Sequence, residues 1–89
     1  MRTIARTSQF KKDVKRLQKR GADLTALKSV IIILAAGEKL EARLRDHPLI
    51  GEYKGTRECH LAPDWLLIYS VGDDWIRFER TGTHSDLFE

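Results

Sequence analysis

Three histidines, His47, His60 and His84, make up the whole stock of that residue in this 89-residue chain. Each falls in a loop or at the end of a strand-like run, and Asp64 and Arg80 share that placement. Loops held by a rigid scaffold are where catalytic groups concentrate. Five such residues at element ends weaken the ordinary reading of a histidine as a surface or satisfied core residue.

The residue types narrow the chemistry. Zinc needs three or four convergent ligands, of which His60 and Asp64 could supply two. The chain has no His-x-x-x-His and no paired-cysteine spacing, so neither a metal nor another cofactor is expected. A nucleophilic cysteine is weaker still, because Cys59 directly precedes His60 and neighbours on a strand point to opposite faces. Neither a P-loop nor a dinucleotide glycine motif is present. What remains is acid-base chemistry on a substrate that brings its own nucleophile. RNA does so: its 2′-hydroxyl attacks the adjacent phosphate when a base takes its proton, a cation stabilises the added charge and an acid protonates the leaving 5′-oxygen. Histidine serves as acid or base near neutrality, and arginine grips phosphate bidentately. The set fits metal-free RNA cleavage.

The elements that must position these residues follow from periodicity. "MRTIART" alternates like a short strand, and Thr7 or Ser8 can cap a helix after it. Phe10, Val14, Leu17 and Leu24 recur at helical spacing, and Gly21 is the expected stop. A second helix runs from about Asp23, with Leu24, Leu27, Val30, Ile31 and Leu34 inward and Gly37 closing it. Pro48, Gly51 and Gly55 break up "EKLEARLRDHPLIGEYKG", which reads as a loop with room for a helical turn at 38–45. Three strands follow, "TRECHLA", "WLLIYSV" and "WIRFERTG", separated by "PD" and by "GDD", a hairpin signal. The order β-α-α-β-β-β predicts an α+β fold, a single domain over 1–89 with two N-terminal helices on a small, mainly antiparallel four-stranded sheet. Strict alternation in "WIRFER" sets Ile76, Phe78 and Arg80 on one face and Trp75, Arg77 and Glu79 on the other. Arg80 then ends an apolar row, where it either reaches past the sheet edge into a concave site or pairs with a buried carboxylate. The turn at Pro63 brings Asp64 near His60.

Composition sets the outer limits. With 42% hydrophobic and 33% charged residues, the balance is that of a soluble protein. The longest apolar run, "VIIILAA", is far short of the roughly 20 residues that span a bilayer, so no membrane partner is expected. An N-terminus without an apolar stretch argues against export, and the lone Cys59 fits a reducing cytoplasm. Residues 1–28 hold nine Lys/Arg against two acids, a balance of +7, whereas residues 29–89 hold seven against eleven, a balance of −4. Lys11, Lys12, Lys15, Arg16, Lys19 and Arg20 cover the first helix, a surface suited to nucleic acid or an acidic protein, or simply to solvent.

Three blocks, "SQFKKDVKRLQKR", "DHPLIGEYKGTRECHLAPDWLLIY" and "RFERTGTHSDLF", resemble the YafQ branch of the RelE/ParE superfamily of type II toxins. The resemblance implies a small toxin fold, codon-dependent cutting of mRNA in the ribosomal A site, and neutralisation by a cognate antitoxin in a hetero-oligomeric complex. It implies an active site of His47, His60, Asp64, Arg80 and His84, with Asp64 and His84 the acid-base pair and His47, His60 and Arg80 at the scissile phosphate. Trp65 and Phe88 would offer flat faces to a base, their alternatives being a core-closing role for Trp65 and a second anchor beside Leu87 for Phe88. The six basic residues of the first helix would contact ribosomal RNA. A ParE-like gyrase-inhibiting toxin is a rival that the histidines and Asp64 disfavour; a non-catalytic RNA- or protein-binding module is one that the basic helix alone would permit.

Overall fold

In the computed structural model, which describes residues 1–88, local sequence signals set the helices. Thr7 caps α1 (Ser8–Lys19): its Oγ1 accepts the Phe10 N–H at 2.9 Å and donates to the Glu79 carbonyl at 2.7 Å, tying the helix start to the sheet. Phe10, Asp13 and Leu17 form the buried stripe of α1, and Gly21 at φ +81° stops it. The Asp23 carboxylate accepts the Thr25 N–H at 2.9 Å at the start of α2 (Thr25–Ala35), which buries Leu27, Val30, Leu34 and Ala35.

The strands are β1 (Thr3–Arg6), β2 (His47–Pro48), β3 (Arg57–Ala62), β4 (Trp65–Val71) and β5 (Trp75–Gly82), and a short helix α3 (His84–Phe88) follows. They form one sheet in the order β1-β5-β4-β3-β2, with β1 parallel to β5 and every other pair antiparallel. The helix hairpin makes the crossover from β1. A 3₁₀ turn at Ala42–Leu44 occupies the place left for a helical turn. The fold class is the expected one, with a fifth strand in place of four. The extra strand, β2, is two residues long and pairs His47 with Glu58 and Pro48 with Arg57 at the sheet edge. Proline is tolerated at an edge, and two residues contain no alternation to read.

Both helices lie on one face of the sheet, where Phe10, Leu27, Val30 and Leu34 pack on Cys59, Leu67, Tyr69, Ile76 and Phe78. Leu66, Ile68 and Leu87, with Leu49 and Tyr53, make a smaller cluster on the other face. β4 is thus buried from both sides. Among the described residues no helix is long and apolar enough to cross a membrane.

One expectation is corrected. The β4–β5 register pairs Tyr69 with Phe78 but Ile68 with Arg80, so a bulge at Glu79 breaks the alternation. Arg80 therefore leaves the face of Ile76 and Phe78 and joins that of Ile68. Thr81, opposite Leu67, returns to the helix side and is fully buried.

Leu87 is buried against Leu66 and Ile68, whereas Phe88 is half exposed. Leu87→Ala should cost about 2–3 kcal/mol in urea unfolding, and Phe88→Ala about 1 kcal/mol, the scale of its aromatic contacts. A larger loss at Phe88 would make it the second anchor.

Candidate active site

Pairing with β3 sends His47, Glu58 and His60 to the face opposite the helices, the side of Leu66 and Ile68. Arg45, in the left-handed region at φ +52°, turns its carbonyl toward His47, and His47 Nδ1 donates to it at 2.6 Å. This leaves His47 Nε2 at 3.1 Å from Glu58 Oε2, with His60 Nε2 at 3.5 Å from the same oxygen. Burial, and after it the positive charge of Arg45, hold the His60 imidazole below its ordinary pKa despite Glu58.

His84 opens α3 with two bonds to one oxygen: its backbone N–H donates to Asp64 Oδ1 at 3.0 Å, and its Nδ1 sits 2.6 Å from that atom. The backbone N–H, and then the imidazole, keep Asp64 below the usual carboxylate range. Gly82, at φ +155°, lets Asp86 pack closely at the start of α3, since a Cβ there would lie 2.9 Å from the Asp86 side chain. The rings form a row: His47 to His60 at 5.9 Å between centroids, His60 to His84 at 6.3 Å, His84 to Phe88 at 6.4 Å, and Phe88 edge-on to Tyr53 at 5.6 Å. Beside the row, a cleft of about 600 Å³ lies between Arg43 and Arg45 on one side and His60 and His84 on the other.

Arg80 stands at the Tyr53 end and takes the second of its two readings, the pair with a buried carboxylate. Its Nε and Nη2 donate to the fully buried Asp13, at 2.8 Å to Oδ2 and 3.2 Å to Oδ1, while Nη1 lies 3.5 Å from Tyr53 Oη. Burial would raise the Asp13 pKa, but hydrogen bonds from Arg80, the Thr81 N–H and Gln9 outweigh it and set the group below its ordinary value.

The structure therefore gathers His47, His60, Asp64, Arg80, His84 and Phe88 on one face. Trp65 is elsewhere: it packs on the helix-side core and its indole N–H donates to Thr81 Oγ1 at 2.9 Å, so it closes the core instead of lining the row. On α1 the basic set divides. Arg20 makes a two-bond pair with Asp86, and Arg16 bonds Asp13 and approaches Asp86 at 3.7 Å. Lys11, Lys12, Lys15 and Lys19 are exposed and, among the described residues, carry no ion pair. Burial pushes the Cys59 thiol up to about 12, which leaves it inert, and its side chain faces the helices, away from His60.

Sequence reasoning missed Glu58, Asp13, Tyr53 and the two cleft arginines. Glu58 shares strand parity with His60, but the partner that completes its setting, His47, is placed by the two-residue β2. Asp13 had a signal, a carboxylate on the apolar stripe of Phe10, Val14 and Leu17. His47 Nε2, Glu58 and His60 offer three ligand atoms within 4.8 Å of one another, a set able to take a transition cation.

The family described as "Bacterial toxin of type II toxin-antitoxin system, YafQ" matches residues 2–89. This chain belongs to the YafQ family of type II toxins. It is 48% identical to the mRNA interferase toxin YafQ of Escherichia coli K12 over 88 residues, 98% of this chain and 96% of the relative. The solved E. coli DinJ–YafQ complex contains a chain of 47% identity that superposes with a TM-score of 0.93, covering 100% of both chains. A metal-bound toxin from Helicobacter pylori is 43% identical at a TM-score of 0.90, covering 99% of this chain and 100% of that one. A YafQ-family chain is the toxin half of a toxin–antitoxin pair, so a protein antitoxin is its partner.

The Asp13 site gives this YafQ-family toxin an acid sensitivity of defined sign. The Asp13 pKa is lowered in the fold, so the unfolded chain takes up the proton first as pH falls below about 4. The stability Asp13 contributes is complete above that pH and lost below it. Wild-type stability should fall more steeply below pH 4 than that of Asp13→Asn, and Asp13→Ala, which strands Arg80, should cost about 3–5 kcal/mol. Parallel pH curves for wild type and Asp13→Asn would remove this role.

Proposed function

We propose that the chain is an endoribonuclease that cuts mRNA in the ribosomal A site, using the RNA 2′-hydroxyl as nucleophile and histidines as proton carriers. The E. coli relative is named an mRNA interferase. The observation that carries the reading is the pair of imidazoles side by side at the cleft, 6.3 Å apart, one of them fixed by a carboxylate. His60, kept neutral by burial, accepts the 2′-hydroxyl proton. His84, its Nδ1 held by Asp64, uses Nε2 to protonate the leaving 5′-oxygen. Asp64 is too acidic in this setting to be the donor near neutrality, and serves as the orienter. Arg43 and Arg45, which line the cleft, and Arg80, at the Tyr53 end of the row, meet the charge that develops on the phosphate. Phe88 and Tyr53 offer ring faces to an unstacked base.

The exposed lysines of α1 supply sequence-independent phosphate contacts to ribosomal RNA, and an acidic antitoxin segment would compete for the same charge. The ParE-like and non-catalytic readings leave the proton-carrying row without a task. A transition cation on His47, Glu58 and His60 would withdraw the His60 lone pair from catalysis.

His84→Ala should abolish growth arrest and lower mRNA cleavage by about 10²–10⁴-fold with fold and antitoxin binding intact; undiminished toxicity would sink the assignment. On ribosomes kept in magnesium, cleavage should persist when a chelator selective for transition metals is present and should slow when zinc or copper is added, whereas a requirement for zinc or copper would end the metal-free scheme. Purified protein should cut translated mRNA well and naked RNA poorly, and efficient cutting of free RNA would point to a nuclease that needs no ribosome.

A further inference from the structure

We propose that Asp13 is a positioning residue for RNA cleavage, buried behind the sheet edge and holding the Arg80 guanidinium at the angle from which it meets the scissile phosphate. The inference rests on the reading of the row as the RNA-cleaving site and adds a residue outside that row.

The geometry begins at the end of β1. The β1–β5 register runs out at Arg6 opposite Phe78, so among the described residues the far half of β5 has no strand neighbour on that side. Asp13 fills the gap from α1, and its Oδ2 accepts the Thr81 N–H at 3.1 Å. The same oxygen accepts Arg80 Nε at 2.8 Å. One atom thus fixes the backbone just after Arg80 and the base of its guanidinium. Oδ1 accepts Arg80 Nη2 at 3.2 Å, Arg16 Nη2 at 2.9 Å and Gln9 Nε2 at 3.3 Å. Two oxygens carry five donors.

This arrangement leaves Arg80 divided. Its Nε–Nη2 edge is committed to Asp13, while Nη1 turns to Tyr53, at the aromatic end of the histidine row. The bulge at Glu79 makes the division possible, since it sets Arg80 on the row's face while the next N–H points to α1.

Stability alone does not call for a carboxylate here. Replacing a buried ion pair by well-packed apolar residues is often neutral or stabilising, and a neutral amide could accept the Thr81 N–H. A rigid charge-assisted grip on one edge of a guanidinium has a use where the other edge must meet a phosphate at a set angle.

A double-mutant cycle on ribosome-bound mRNA tests this. Asp13→Asn should lower kcat about a hundredfold with KM nearly unchanged, and the pH profile of the residual activity should keep its shape because no proton carrier is lost. Placed on an Arg80→Gln background, Asp13→Asn should add no more than about a twofold loss, since it acts only through Arg80. Multiplying losses would overturn the inference, as would a wild-type rate for Asp13→Asn alongside an inactive Arg80→Gln. Full activity of Arg80→Gln would instead overturn the site reading itself. One measurement needs no variant: in the wild type the Arg80 Nε–H should give a single, slowly exchanging NMR resonance. A rapidly exchanging, averaged one would refute a fixed guanidinium.

Discussion

A carboxylate shut off from water must be surrounded by donors, and the donors around Asp13 come from two parts of the chain. Gln9 and Arg16 lie on its own helix, while Arg80 and the Thr81 N–H belong to the last strand. Such a centre ties α1 to the unpaired half of β5 more specifically than apolar contact could, because every displaced donor would leave charge unbalanced in a dry place. Apolar packing of Phe10 on Phe78, with ring centroids 5.7 Å apart, holds the two elements together, and the carboxylate fixes their register. The bulge at Glu79 follows from this. Thr81 has to present its N–H toward the helix while Arg80 reaches round to the opposite face, and an unbroken alternation could not give both.

The division of the sheet into two faces accounts for the electrostatics. One face is sealed by two helices and is almost wholly apolar. Its single thiol is accordingly inert. The other carries only a small cluster around Leu66 and Ile68, so ionisable groups can stand beside apolar ones at partial burial. His60 and Asp64 show what this does. Burial presses the imidazole toward its neutral form, whereas an exposed carboxylate holding two donors stays charged. Groups of opposite tendency then sit within one row, an arrangement on which acid-base chemistry depends.

The helices, the hairpin at "GDD" and the three long strands were legible because each repeats its period several times. Gly21 and Gly37 ended helices where expected, and Asp64, just after the turn at Pro63, bonds His84, whose ring lies 6.3 Å from that of His60. What could not be read has one physical character: it depends on single residues that break a pattern. β2 has two residues, and its effect on His47 comes from pairing with Glu58 on the next strand. The bulge is one extra residue and reverses the facing of Arg80. Trp65 has an aromatic face that suits stacking on a base, yet its strand parity and the Thr81 hydroxyl turn it to the core. The choice among basic residues of α1 was likewise hidden, since charge content alone does not distinguish a lysine in solvent from an arginine facing Asp86.

The division on α1 explains how so short a helix can hold His84 in place. Five residues do not form a stable helix alone, since a single turn fixes several dihedrals for one or two hydrogen bonds. α3 is held from outside. Leu87 enters the small cluster, Asp86 takes Arg20 and Arg16 on one side and the Thr83 N–H on the other, and Asp64 secures the first residue. Each exposed ion pair contributes little by itself. Their worth lies in convergence, because three independent anchors on five residues leave His84 few alternative positions. Arg16 bonds both Asp13 and the neighbourhood of Asp86, so one side chain of the basic helix borders the anchor of Arg80 and the anchor of α3. The helix therefore has two faces of positive charge with separate tasks. Its lysines face outward to solvent, and its arginines turn back to hold the two ends of the site in one frame.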